Sequence, residues 1–271
     1  MPSVLWRCVL TLHGSVYSSV LGFHTGISVL TPDRFLEKGS YRVMYLLHGL
    51  HGNNQTWINN TMMASYAGAY NSIFIMPEVG RSFYADQMFG YKYYTYIAEE
   101  LPEIVRSVFN VSAKREDTAV LGCSMGGYGA LKIALSKPEA YGFCASISPA
   151  FLFVNEILPL LRTDESGWAK KSPSNAAIVR DMYAIFGENL DFKDGDIIFK
   201  LAEKASLSKA KPKIYAVCGS RDELIQDNRR FNALITETNL DLDWTFEEWD
   251  GVHDWIFFDK SFQKALELWK K

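Results

Sequence analysis

The chain has 271 residues, 48% hydrophobic and 22% charged, the make-up of a sizeable globular domain and not of a disordered or fibrous chain. A net charge of −3 excludes the basic surface that nucleic acid or an anionic membrane requires, and no apolar run approaches the ~20 residues needed to span a bilayer. The four cysteines, Cys8, Cys123, Cys144 and Cys218, form no C-x-x-C pair; free thiols suit a reducing, cytoplasmic compartment, and secretion would need a leader already removed from this sequence.

Residues 4–12 and 26–30 read as an antiparallel opening pair of strands. The short apolar runs 42–47 and 72–76 end in turn residues, as buried parallel strands do. Helical spacing follows over 94–109. Residues 118–121 form another strand-like run, then comes Gly122-Cys123-Ser124-Met125-Gly126, then helical spacing over 126–135. Runs 143–147 and 213–218 repeat the buried-strand pattern, a helix is expected over 228–238, a late strand over 244–249 and a last helix over 261–269. Strands alternating with helices imply one α/β domain over 1–271, with a mostly parallel eight-stranded sheet covered by helices on both faces. The alternation lapses over 151–210, where Ser172-Pro173-Ser174 and Lys193-Asp194-Gly195 signal turns. An insertion between two core strands sits beyond the strand C-termini, so this one is expected to be a cap or pocket wall.

Ser124 sits at the apex of a strand, sharp turn and helix, the context that holds a nucleophile above a sheet with free helix N–H groups behind it. Gly122 and Gly126 flank it because strand and helix backbones nearly touch there. Cys123 is next to the apex but not at the middle of the G-x-S-x-G pattern. A serine hydroxyl needs a base, and the base needs an orienting group, in the chain order Ser, acid, His for an elbow of this kind. Of the five histidines only His253 follows Ser124. Asp222 is the favoured acid because it lies just past a strand end on the same sheet edge; Glu223, Asp227, Asp250 and Asp254 are near alternatives. The oxyanion hole is expected from the N–H of Met125, after the nucleophile, and of Leu50, in the glycine-bearing loop after an early strand. His48 and His51 in that loop lack a third ligand at metal-binding spacing, so no metal is expected. Trp57, Phe83, Tyr84 and Trp255 fall near the sheet edge and are candidate pocket rings.

These residues resemble the esterase D group of α/β-hydrolases, and within it the tributyrin, feruloyl and acetyl-xylan esterases. The likeness covers most of the chain: YLLHGLHGN at 45–53, MPE at 76–78 with RSFYAD at 81–86, the run 96–106, KRED at 114–117 leading into GCSMGGYGA at 122–130, and HDW at 253–255. It implies the α/β-hydrolase fold, a Ser124–Asp222–His253 triad, an oxyanion hole from Leu50 and Met125, and no cofactor. Two positions depart from the pattern. Cys123 stands where related esterases often have a larger aliphatic residue, and Pro149-Ala150 stands where a Ser-Gly turn is common, so the pocket wall is expected to differ there. The more distant S-formylglutathione hydrolases commonly carry a Thr-Cys pair where this chain has Asn53-Asn54.

The expected activity is therefore hydrolysis of short-chain acyl or hydroxycinnamoyl esters through an acyl-enzyme. A thioesterase of the S-formylglutathione hydrolase type and a non-catalytic hydrolase-like binding protein are the alternatives. The expected partner is a small-molecule ester, and the sequence leaves a homo-oligomer open.

Overall fold

Strands β1 (Thr11–Ser18) and β2 (Phe23–Leu30) form an antiparallel hairpin, Leu12 facing Val29 across it. The structure, a computed structural model, describes residues 10–32, 40–163 and 167–270. The predicted first strand at 4–12 thus lies mostly outside the described residues, and the described strand begins only at Thr11. Its residues are largely exposed, because β1 is a sheet edge held by main-chain pairing and not by burial of an apolar face. Backbone N–H groups of Ser19 and Val20 in the hairpin turn donate to the carboxylate of Glu100, which ties the turn to the helical layer.

Six further strands complete the sheet: β3 (Arg42–Leu47), β4 (Ser72–Pro77), β5 (Thr118–Cys123), β6 (Phe143–Ile147), β7 (Lys213–Gly219) and β8 (Asp243–Trp249). The order is β1-β2-β4-β3-β5-β6-β7-β8, with every pairing from β4 to β8 parallel. Both faces are covered. Val43, Tyr45 and Leu47 of β3 enter one core and Met44 and Leu46 the other, the two-residue period of a strand buried on both sides.

Short helices α1 (Thr56–Asn60) and α2 (Met63–Tyr66) follow β3. The segment predicted as one helix over 94–109 is α3 (Tyr93–Thr95), a wide π turn over Tyr96–Glu100, and α4 (Leu101–Val108). Pro102 explains the wide turn, because it has no N–H to continue the regular ladder. The remaining helices are α5 (Met125–Ser136), α6 (Val154–Thr163), α7 (Pro173–Phe186), α8 (Ile198–Ser206), α9 (Ile225–Glu237) and α10 (Trp255–Lys270). Leu101, Phe231 and most of α5 belong to one core, whereas α10 packs with Trp57 and Met63 in the other. Among the described residues no helix is long and apolar enough to cross a membrane.

The stretch 151–210 divides in two. Ile198, Leu201, Ala202 and Ala205 of α8 are buried in the core shared with α5, so α8 is the crossover helix that covers the sheet between β6 and β7. It is fastened by the buried ammonium of Lys132, 2.7 Å from Asp196 Oδ1, and by the Tyr128 hydroxyl, which donates to Asp196 O at 2.7 Å. Helices α6 and α7 are the true excess over the alternating pattern. Helix α7 is tied to the loop after β4 by Arg81, whose guanidinium makes two bonds to Asp181, and by the N–H groups of Met88 and Phe89, which donate to Ile185 O and Ala184 O.

Candidate active site

Strand β5 ends at Cys123 and α5 starts at Met125, so Ser124 alone makes the turn, at φ 57° and ψ −121°. A non-glycine residue there carries strain on the order of 1–3 kcal/mol that the surroundings must hold. They do so by hydrogen bonds: Ser124 N–H donates to Ile147 O at 2.9 Å, and Ser124 O accepts from Gly127 N–H at 2.9 Å and Tyr128 N–H at 3.2 Å. The flanking glycines are required by close approach. A Cβ on Gly122 would lie 2.1 Å from Gly126 O, and one on Gly126 would lie 2.3 Å from Leu47 O. Gly126→Ala would push α5 off β3, and overpacking of this kind costs roughly 1–3 kcal/mol. At ~2–4 °C per kcal/mol for a chain of this class, thermal melts should show a loss of ~2–12 °C, and an unchanged Tm would refute the contact.

His253 lies in the loop between β8 and α10. Its Nδ1 is 2.8 Å from Asp222 Oδ2, and the Asp222 side chain is wholly buried. Asp222 follows β7, and its Oδ1 accepts from Leu224 N–H at 2.8 Å. Burial alone would raise the Asp222 pKa, but the hydrogen bonds from His253 and from Leu224 N–H outweigh it and hold the carboxyl below its ordinary range. An ionised carboxylate only accepts, so Nδ1 carries the proton and Nε2 is left as the free basic nitrogen. The alternative acids have other positions. Glu223 is exposed, Asp250 pairs with Arg221 at the surface, Asp254 Oδ1 accepts from Phe257 N–H at the start of α10, and burial raises the pKa of Asp227 on α9.

Ser124 and His253 open on one cavity, with an empty volume of about 830 Å³ that includes open solvent. Leu50, Asn60, Trp255 and Phe258 line it with them, as does Cys123, whose thiol burial pushes up to about 12. Such a thiol is not a nucleophile at neutral pH. Among the described residues, no protein acceptor takes the N–H of Leu50 or of Met125. No three His, Cys, Asp or Glu side chains converge as a metal-ligand set among the described residues.

Of the four predicted pocket rings, Trp255 lines this cavity and the other three do not. Trp57 is fully buried, donates from Nε1 to Leu47 O at 3.0 Å and meets Trp255 edge-on at 5.3 Å. Tyr84 is fully buried with its hydroxyl on His48 O at 2.9 Å, and Phe83 is 3% exposed, edge-on to Phe151. Trp57 packs in one of the two cores that flank the sheet and Phe83 and Tyr84 in the other. Asn60 and Phe258 were not legible as wall residues. Phe258 lies one helical turn after Trp255, a spacing that carried the signal, whereas nothing in the sequence marks Asn60.

Residues 18–268 match the Esterase family. The chain belongs to that family. This esterase is 32% identical to an acetyl esterase of Caldicellulosiruptor saccharolyticus over 266 residues, 94% of this chain and 96% of that one. Among solved structures it is similar to the fluorophosphonate-binding serine hydrolase FphF of Staphylococcus aureus, with a TM-score of 0.80, 26% identity, and coverage of 97% and 99% of the two chains. It is also similar to the S-formylglutathione hydrolase FrmB of the same organism, with a TM-score of 0.76, 28% identity, and coverage of 98% and 99%. A ferulic acid esterase at 19% identity and a TM-score of 0.71 shares the fold. The esterase thus has the α/β-hydrolase fold and is a serine-dependent ester hydrolase.

Proposed function

We propose that Ser124, His253 and Asp222 form the catalytic triad of a carboxylesterase for compact acyl groups, with Leu50 and Met125 as the oxyanion donors. The observation that carries this reading is the cavity onto which Ser124 and the Asp222-paired His253 both open. Ser124 Oγ attacks the ester carbonyl while His253 Nε2 takes its proton. Charge then develops on the carbonyl oxygen, where two N–H groups without protein acceptors stabilise it. The intermediate collapses to an acyl-enzyme as His253 returns the proton to the leaving alcohol, and water, activated by the same imidazole, releases the acid.

Beside His253, the cavity is lined by the aromatic rings of Trp255 and Phe258 and the polar side chains of His51, Thr56 and Asn60, which suits a small or planar acyl group better than a long chain. The 32% identical acetyl esterase supports an acetyl-sized group. The whole chain is proposed to serve as one domain, and helices α6 and α7, tied through Arg81–Asp181 to the loop after β4, contribute no residue to the lining of this cavity. The substrate is a small-molecule ester. The buried free thiols of Cys123, Cys144 and Cys218 fit a cytoplasmic setting.

A chain-length series of nitrophenyl esters tests the reading. The expected kcat/KM optimum is at acetyl to butyryl, and an optimum at ten or more acyl carbons would overturn it. Feruloyl esters and S-formylglutathione belong in the same panel. Turnover of the thioester above all oxygen esters would favour the thioesterase reading, which the FrmB likeness supports.

A further inference from the structure

His48 is 1% exposed and does not line the cavity that holds Ser124 and His253, yet it is bonded to the loop between them. Its Nδ1 is 2.8 Å from Gly49 O. A carbonyl oxygen only accepts, so Nδ1 carries a proton and donates it. Gly52 N–H donates to the same oxygen at 3.0 Å. Gly49 C=O and Leu50 N–H are the two ends of one planar trans peptide and point in opposite directions. Holding Gly49 O on the His48 side therefore aims Leu50 N–H the other way, and Leu50 lines the cavity that holds Ser124. Gly49 also lies close to the nucleophile: a Cβ there would be 3.4 Å from Ser124 Cβ.

The ring and the main chain of His48 are both held. Its Nε2 accepts from Val79 N–H at 3.3 Å, and its main-chain carbonyl accepts from the Tyr84 hydroxyl at 2.9 Å. Glu78, beside this ring, takes the N–H groups of Asn54 at 3.1 Å and Gly80 at 2.7 Å, so one carboxylate joins the loop that carries Leu50 to the loop after β4. Such a network is worth having where a single peptide must not rotate, because a donor misplaced by about 1 Å can cost on the order of 10²-fold in rate.

We infer that His48 is a positioning residue that fixes the Gly49–Leu50 peptide so that Leu50 N–H meets the developing oxyanion. The inference rests on Leu50 being an oxyanion donor, as proposed above. His48 never touches substrate. It acts only through the peptide plane, so its removal weakens the transition state and leaves substrate binding in place.

The test compares His48→Leu, which removes the donor, with His48→Asn, whose amide nitrogen lies about where Nδ1 does. Nitrophenyl acetate gives kcat and KM, and a trifluoromethyl ketone, whose adduct with the nucleophile carries an oxyanion, gives an inhibition constant. For His48→Leu the expected result is a kcat lower by ~10–100-fold, KM within about twofold, and ketone inhibition weaker by a similar factor as kcat. His48→Asn should recover kcat to within about fivefold of the wild type. A His48→Leu enzyme within about twofold of wild-type kcat, or a loss carried by KM, would overturn the inference. So would a folded Asn variant as slow as the Leu variant, because a purely structural role gives no such rescue. If His48→Leu fails to fold, the Asn variant decides alone: kcat within fivefold supports the inference and a loss of tens of fold refutes it. Ser124→Ala in parallel separates the two proposals. An inactive Ser124→Ala beside a fully active His48→Leu sinks only the role of His48, whereas an active Ser124→Ala sinks the serine reading itself.

Discussion

Ser124→Ala is expected to lower kcat for nitrophenyl acetate by ~10⁴–10⁶-fold with little change in Tm. The size follows from position. Ser124 is held in a left-handed conformation by its own N–H and carbonyl bonds, and none of those bonds uses its side chain. Removing Oγ therefore deletes the proposed nucleophile and leaves the turn intact. The proposed oxyanion donors and the Asp222-paired His253 remain, so a residual rate above that of water is expected from them. A folded variant that kept a tenth of wild-type kcat would exclude Ser124. Loss of labelling by a fluorophosphonate in the same variant is the direct chemical check.

Asp222→Asn is expected to lower kcat by about 10⁴-fold, and Asp227→Asn and Glu223→Gln by no more than a few fold. Asp222 accepts the Nδ1 proton of His253 at 2.8 Å from a fully buried position. An amide N–H placed there would face Nδ1 as a donor, select the opposite tautomer and turn the basic nitrogen away from Ser124. Glu223 is exposed and Asp227 lies on α9, and neither is bonded to His253. Equal losses in all three variants, or the largest at Asp227, would overturn the assignment. The same carboxylate leaves a mark on stability. Its pKa is depressed in the folded protein, so its contribution is present above the ordinary carboxylate range and is lost as pH falls through the folded value. Melts of wild type and Asp222→Asn from pH 7 down to 3 should converge on the acid side.

Much of the architecture was legible because parallel strands buried on both faces are written as continuous apolar runs. Arg42–Leu47, Phe143–Ile147 and Lys213–Gly219 were found within a residue of their true ends for that reason. The edge strand β1 was not, because its side chains are exposed and its order comes from main-chain pairing with β2. The stretch 151–210 was harder to divide for a related reason. Helix α8 has ordinary helical amphipathicity, and only its packing on α5 marks it as a layer helix and not part of a cap.

The sequence by itself determined the turn that bears Ser124, since close backbone approach demands Gly122 and Gly126 and local chemistry decides such a turn. It also singled out His253 as the candidate base, by elimination along the chain. Only the tertiary structure decided which acid meets that histidine, because Asp222 and its rivals differ in burial and direction and not in residue type. The same holds for the rings. Trp57, Phe83, Tyr84 and Trp255 look alike as aromatic residues near a sheet edge, and packing alone turns the first three inward and leaves Trp255 on the cavity wall. His48 shows the limit most plainly: two residues before Leu50 it reads as a loop histidine, and its hold on the Leu50 peptide exists only once β3, the loop after β4 and Tyr84 close around it.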